Sequence, residues 1–249
     1  MENLNNYYAT DGKVAILIDG GYFIKRLKSL YNAEQHNLSV QEKADFNVDY
    51  VVKKIRTVCF EHAKKLKQNI YRIFYYDCPP AEDKIHNPLS NRFVKFNESP
   101  QYKFRKELFT ELRKMRKMAL RLGSLSRDRD NPWTIAPQKM TELLKGKIQI
   151  ADLDPEKDLI LNVRQKQVDL KIGIDIASMA LKGRVSTMVL IAGDGDFVPV
   201  AKMARKEGID FILDPMWGRV QQELVEHIDG LYSVLPDPKK KKTFVKTNS

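Results

Sequence analysis

Three aspartates stand where chemistry is easiest to build. Asp19 closes the short apolar run Lys13-Val-Ala-Ile-Leu-Ile-Asp19, and two glycines follow it. Asp194 and Asp196 lie in Gly193-Asp-Gly-Asp-Phe197, just past a second apolar run from Met188 to Ala192. In open α/β sheets the ligand site lies at the carboxyl ends of the strands, so acids at two such ends converge on one crevice. Carboxylates packed together repel and stay ionised only where a cation offsets the repulsion. Hard oxygen ligands of this kind suit Mg²⁺ or Mn²⁺, which also take phosphate oxygens. Such an ion activates water and offsets charge developing on a phosphate. Each acid also has a plainer reading: an aspartate at a strand end is commonly a helix N-cap or a turn former. The residues alone leave both readings open.

The elements that must position these acids follow from hydrophobic periodicity. The run ending at Asp19 reads as a buried parallel strand, and Phe23, Ile24, Leu27 and Leu30 recur behind it at helical spacing. Val51, Val52, Ile55, Val58, Cys59, Ala63 and Leu66 form one face of a second helix, which places His62 half exposed. Ile70 to Tyr76 reads as a strand stopped by Cys78-Pro-Pro. After residue 165 the run Met188–Ala192 predicts a strand. A helix with Val200, Met203 and Ala204 inward comes next, then a strand at Ile209–Leu213 and a last helix marked by Val220, Leu224 and Ile228. Strands alternating with helices predict an α/β fold with a central parallel sheet covered by helices.

Residues 168–182 fit two patterns. Val168, Leu170, Ile172, Ile174 and Ile176 alternate with polar residues as in a strand, but the run continues to Gly183, a helix C-cap residue. About fifteen residues is too long for a strand of this kind, so a helix is the better reading. It puts Asp169 in the first turn, where an acid complements the helix dipole.

Residues 81–165 are less regular and read as a helical, basic insertion in one domain spanning 13–235, with a Pro- and Lys-rich tail over 236–249. Phe104, Leu108, Leu112, Met115 and Ala119 predict a helix across 101–121. Eight basic residues against Glu107 and Glu111 give the stretch from Pro100 to Arg121 a net charge of +6. Arg105, Arg113, Lys114, Arg116 and Lys117 are the candidate contacts to a nucleic-acid backbone, and a solvated helix face is the alternative. Trp133-Thr-Ile and Lys147-Ile-Gln-Ile read as short strands.

The whole chain of 249 residues carries +11, which favours a polyanionic partner or serves solubility alone. No apolar stretch approaches the roughly 20 residues of a membrane span, and the N-terminal segment lacks a signal-peptide core. Cys59 and Cys78 are too few for a disulfide framework or zinc cluster, and the four histidines show no zinc spacing. A reduced, cytoplasmic protein is therefore expected. Nothing in the pattern requires or excludes a homo-oligomer.

Val14-Ala-Ile-Leu-Ile-Asp-Gly20, Gln165-Lys-Gln-Val-Asp169, Lys171-Ile-Gly-Ile-Asp-Ile176 and Ile191-Ala-Gly-Asp-Gly-Asp-Phe-Val-Pro199, in this order, resemble the NYN domain, a branch of the PIN-like nuclease group. The resemblance runs with gaps from Val14 to Leu235. It implies a PIN-like fold and metal-dependent ribonuclease activity, with Asp19, Asp169, Asp194 and Asp196 as metal ligands or catalytic acids. Lys166, Lys171 and Arg205 lie near these motifs as candidate phosphate contacts. Two departures stand out: Gly21-Tyr22 where an Asn is frequent after the first acid, and Gln167 where Gly is common. The rival expectations are a non-catalytic RNA-binding scaffold and a DNA-directed nuclease. A haloacid-dehalogenase-like phosphatase needs a second acid after the first strand, and Asp19-Gly-Gly lacks it.

Overall fold

The structure is a computed structural model that describes residues 12–35, 45–128, 131–193 and 195–239. Strand β1 (Lys13–Asp19) passes directly into α1 (Gly20–Gln35), and α2 (Val48–Leu66) leads to β2 (Asn69–Asp77). A hairpin of β3 (Lys84–Asn87) and β4 (Arg92–Lys95) precedes α3 (Pro100–Lys114) and β5 (Met118–Leu122). Next come β6 (Ser124–Arg127), β7 (Trp133–Ile135), α4 (Pro137–Leu144), β8 (Leu159–Leu161) and β9 (Val163–Lys166). The chain continues through α5 (Val168–Leu181), β10 (Thr187–Ile191), α6 (Val198–Lys206), β11 (Asp210–Leu213), α7 (Gln222–Val225) and β12 (Gly230–Leu231).

Two compact units result. The first takes the described parts of Met1–Asp77, Leu108–Arg121 and Val168–Ser249; the second takes Cys78–Glu107 and Leu122–Gln167. The first is built on a six-stranded sheet ordered β12-β11-β10-β1-β2-β5. From β12 through β2 all neighbouring pairs are parallel. Val14 to Ile18 and all of β10 are buried, which is why these strands read as unbroken apolar runs. This is the expected α/β architecture.

The register aligns the strand ends. Ile18 pairs with Ile191, Asp19 with Tyr76, and Leu190 with Leu213. Asp19, Asp77 and Asp214 therefore share one edge of the sheet with the segment after Ala192.

Segment 168–181 is a helix with Asp169 in its first turn, and Gly183 adopts φ +56°. Val168, Ile172, Ile176 and Ala180 are buried four apart, while Leu170 and Ile174 are exposed. Only a helical period separates those two sets.

Several expectations need correction. The helix expected over 101–121 ends at Lys114, and Met118–Leu122 is instead the edge strand β5. Lys117 makes the break by adopting φ +65°. Lys147–Ile150 is not a strand: a 3₁₀ turn runs over Ile150–Asp152. The second unit contains three two-stranded antiparallel ribbons, β3-β4, β6-β9 and β7-β8, beside the short α4. The last helix covers only Gln222–Val225, and in α6 the residues turned fully inward are Val198, Ala201 and Ala204. Of the tail, residues 240–249 lie outside the described residues.

Candidate functional site

Asp19 caps the helix that follows it, and the cap occupies one carboxyl oxygen, so the plainer reading of this strand-end acid is observed without excluding the other. With no linker between β1 and α1, its Oδ1 accepts the backbone N–H of Tyr22 at 3.0 Å, the N-cap bond of α1. The immediate entry into the helix needs Gly20, because a Cβ there would fall 2.6 Å from the ring of Tyr75. The departure at Gly21-Tyr22 thus leaves a polar contact to the acid in place, made by backbone.

The carboxyl of Asp19 is pushed up to about 6. Burial is the largest cause, the Tyr22 N–H works against it, and the negative charges of Asp169 and Asp77 raise it further. Asp169, on the first turn of α5, and Asp77, at the end of β2, are therefore close enough to act on Asp19 electrostatically. Asp77 is 1% exposed. Sequence reasoning passes over it although it carries the same signal as Asp19, an acid ending an apolar strand just before the strand-stopping Cys78-Pro-Pro.

Asp196 is exposed on a 3₁₀ turn, Gly195–Phe197, that packs against α5, α6 and α7. Asp194 lies outside the described residues; the glycines on either side of it are closely approached by other side chains. A Cβ on Gly193 would overlap the ring of Tyr22, and a Cβ on Gly195 would overlap the side-chain amide of Gln221. Tyr22 cannot easily give way, since its hydroxyl donates to the carbonyl of Pro215 at 2.6 Å. Burial pushes that phenol up to about 12, so it remains a donor. Gly193→Ala is expected to overpack this contact and cost about 2 kcal/mol. A double-mutant cycle in thermal unfolding checks it: adding Tyr22→Ala should recover much of the loss, and additive effects would refute the contact.

The other predicted residues divide. Asp175, in the motif Lys171–Ile176, accepts from Tyr76 Oη at 2.9 Å and from Arg121 Nε at 3.0 Å. Arg121, though exposed, is thereby tied to α5 through Asp175. Arg205 closes α6 and pairs with Asp229 at 2.8 Å, and Asp229 also accepts the N–H of Phe211 near the start of β11. That is the opposite edge of the sheet from Asp19, so the structure does not bring Arg205 to the acids. Lys171 is half-buried on α5; Lys166 ends β9 in the second unit. Arg113, Lys114, Arg116 and Lys117 are exposed, with Lys114 paired to Glu111 at 2.6 Å and Lys117 donating to the carbonyl of Ile70. Arg105 lines a groove of about 810 Å³ in the second unit, beside Tyr102, Phe96 and Trp133.

A further pair escaped the sequence reading. His62, expected half exposed, is 0% exposed, and its Nε2 lies 2.8 Å from Oδ2 of Asp214, equally buried. His62 stands four residues past Val58 and seven past Ile55, on the apolar face of α2, so its burial was legible; its partner, 152 residues away, was not. Asp214 also accepts the N–H of Met216 at 2.7 Å, so the pair anchors the segment that leaves β11.

Among the described residues no group of three or more His, Cys, Asp or Glu is gathered as a metal site, and the described set omits Asp194. What the geometry does present is a half-buried acid whose ionisation is opposed by two neighbouring acids. No helix among the described residues is long and apolar enough to cross a membrane.

No curated protein matches the chain. Among solved structures it is similar to the crystal structure of a protein of unknown function from Vibrio parahaemolyticus. The two share 14% identity with a TM-score of 0.45, over 92% of this chain and 97% of that one. Over residues 138–229, the segment that contains Asp169, Asp194 and Asp196, the chain matches the NYN domain, a PIN-like nuclease family.

Proposed function

We propose that this protein is a metal-dependent ribonuclease whose acids at the carboxyl edge of the sheet hold Mg²⁺ or Mn²⁺. The observation that carries the reading is Asp19, half-buried at a strand end and held up to about 6 by partial desolvation and by Asp169 and Asp77. The NYN match supports nuclease chemistry at the level of the family. Asp19 and Asp194 are the principal ligands; Asp169 and Asp196 complete the cluster or orient the attacking water. When bound, the ion supplies Lewis acidity, activating water and offsetting charge on the phosphodiester.

The chain's own residues do the remaining work. The Tyr22 N–H fixes the Asp19 carboxylate in one orientation, and the ring of Tyr22 leaves no room for a side chain at Gly193. The exposed cations Arg113 and Arg116 hold the strand through its phosphates, which gives affinity without base specificity. Replacing both with Gln should lower the slope of log affinity against log salt by about 0.7 per lost contact for single-stranded RNA. An unchanged slope would remove these two from the interface.

The deciding experiment incubates the full chain with single-stranded RNA, duplex RNA and flap DNA, with Mg²⁺, Mn²⁺ or chelator. Cleavage of RNA that needs the metal and disappears in Asp194→Asn is the expected result. Binding of RNA without cleavage at any concentration of either ion would assign a scaffold instead, and preference for flap DNA would replace the substrate.

A further inference from the structure

The chain leaves β11 through Asp214-Pro-Met-Trp-Gly218, and this loop is built in an unusual way. Met216 and Trp217 adopt φ +46° and +61° in succession, a conformation that side chains other than Gly rarely take. Six separate interactions hold it. Met216 N–H donates to Asp214, Trp217 N–H to Ser233 Oγ, and Gly218 N–H to the carbonyl of Pro215. From α1, Tyr22 Oη donates to Pro215 and Arg26 to Met216, at 2.6 and 2.9 Å. The Trp217 indole N–H donates to the carbonyl of Leu235 at 2.8 Å. Backbone strain maintained by this many restraints is characteristic of ligand-contacting segments.

The result is a tryptophan clamped along its N–H edge and still 42% exposed. Met216 before it is fully buried, so the conformation presents the indole and hides its neighbour. Tyr22 lies with its hydroxyl against Gly218 and its ring against Gly193, so one tyrosine side chain separates the loop from the segment that continues to Asp196. Arg219, two residues on, is exposed.

We propose that Trp217 is a nucleobase-stacking subsite beside the acidic centre, taking an unpaired base of single-stranded RNA while Arg219 meets an adjacent phosphate. The proposal rests on the ribonuclease reading and sharpens it to substrates whose bases are unstacked. A rigid indole face costs little order on binding and accepts any base, whereas a base inside a duplex is unavailable to it. An exposed aromatic beside an exposed guanidinium, next to acids suited to phosphodiester chemistry, favours this occupant over a protein or lipid surface.

The test uses the full chain with chelator in place of metal, so that affinity is read without turnover. Trp217→Leu should bind a labelled single-stranded RNA about ten-fold more weakly, whereas Trp217→Phe, which keeps a stacking face and loses the bond to Leu235, should stay within about two-fold. Affinity for duplex RNA of the same sequence should not respond to either change. In a Trp133→Phe background Trp217 is the sole indole, and single-stranded RNA should quench its fluorescence along the binding curve. Unchanged binding by Trp217→Leu, or equal weakening by Leu and Phe, would overturn the proposal, the second by showing that Trp217 acts only through its bond to Leu235. RNA cleavage that persists with Trp217 silent sinks the subsite alone. Failure of the wild-type chain to bind or cleave any RNA sinks the ribonuclease reading itself.

Discussion

Asp19→Asn is expected to abolish metal-dependent cleavage while raising the melting temperature of the metal-free protein. The two effects have one origin. The folded-state value of about 6 lies above the ordinary 3.8, so the folded chain keeps a proton that the unfolded chain has released. The group's contribution to stability is present in full below pH 3.8 and is lost as pH rises through 6. At pH 7 and above the metal-free protein therefore carries an ionised, partly desolvated carboxylate facing Asp169 and Asp77. A shift of about two units corresponds to roughly 3 kcal/mol at most. Asparagine removes the charge and keeps an oxygen that accepts the Tyr22 N–H, so the cap survives. A rise of about 5 °C follows for a chain of this size.

Cleavage should fall by at least about 100-fold, since a ligand to the ion supplies several kcal/mol of charge stabilisation. Mn²⁺ should raise the melting temperature of the wild type and not that of the variant. Scanning calorimetry with chelator and with Mn²⁺, at pH 5 and pH 8, checks the set. The gain from Asp19→Asn should shrink at pH 5, where the wild-type acid is mostly protonated. A variant that is less stable than wild type at pH 8 without metal would contradict the charge argument, and one that still cleaves would remove Asp19 from the site.

His62→Leu carries the largest expected loss of stability. It removes the partner of a fully buried carboxylate and leaves Asp214 with backbone donors alone: Met216 N–H at 2.7 Å and a long contact to Val234 N–H at 3.5 Å. Deleting one member of a buried pair costs about 3–5 kcal/mol. At about 2–4 °C per kcal/mol for a chain of this length, the melting temperature should drop by roughly 10 °C. The effect should also reach function, because Asp214 holds Met216 and through it the loop of Trp217. Affinity for single-stranded RNA should weaken below the unfolding temperature. Guanidinium unfolding followed by far-UV circular dichroism reads the first effect, and a midpoint equal to wild type would show that the pair contributes nothing net.

The apolar runs ending at Asp19 and before Asp194 read correctly because a strand buried on both faces leaves a continuous local signature. The helix at 168–181 was also recoverable, although alternation pointed to a strand, because its length and Gly183 weighed against that pattern. Over 101–121 the same periodicity misleads, because the helix stops at Lys114. Met115 and Ala119 continue the helical spacing of Leu108 and Leu112, and nothing local announces that Lys117 turns left-handed or that Met118–Leu122 pairs beside β2.

The four acids were visible as residue types at strand and helix ends, which local sequence does determine. What only the tertiary structure decided is which groups act on one another. Asp77 joins Asp19 because two parallel strands stop at the same level, and His62 meets Asp214 across 152 residues. Tyr22 and Trp217 acquire their places because a loop from the far end of the chain folds against α1. Local periodicity can say that an acid ends a strand; the proximity that raises Asp19 to about 6, and the restraints that present Trp217, exist only after distant segments pack.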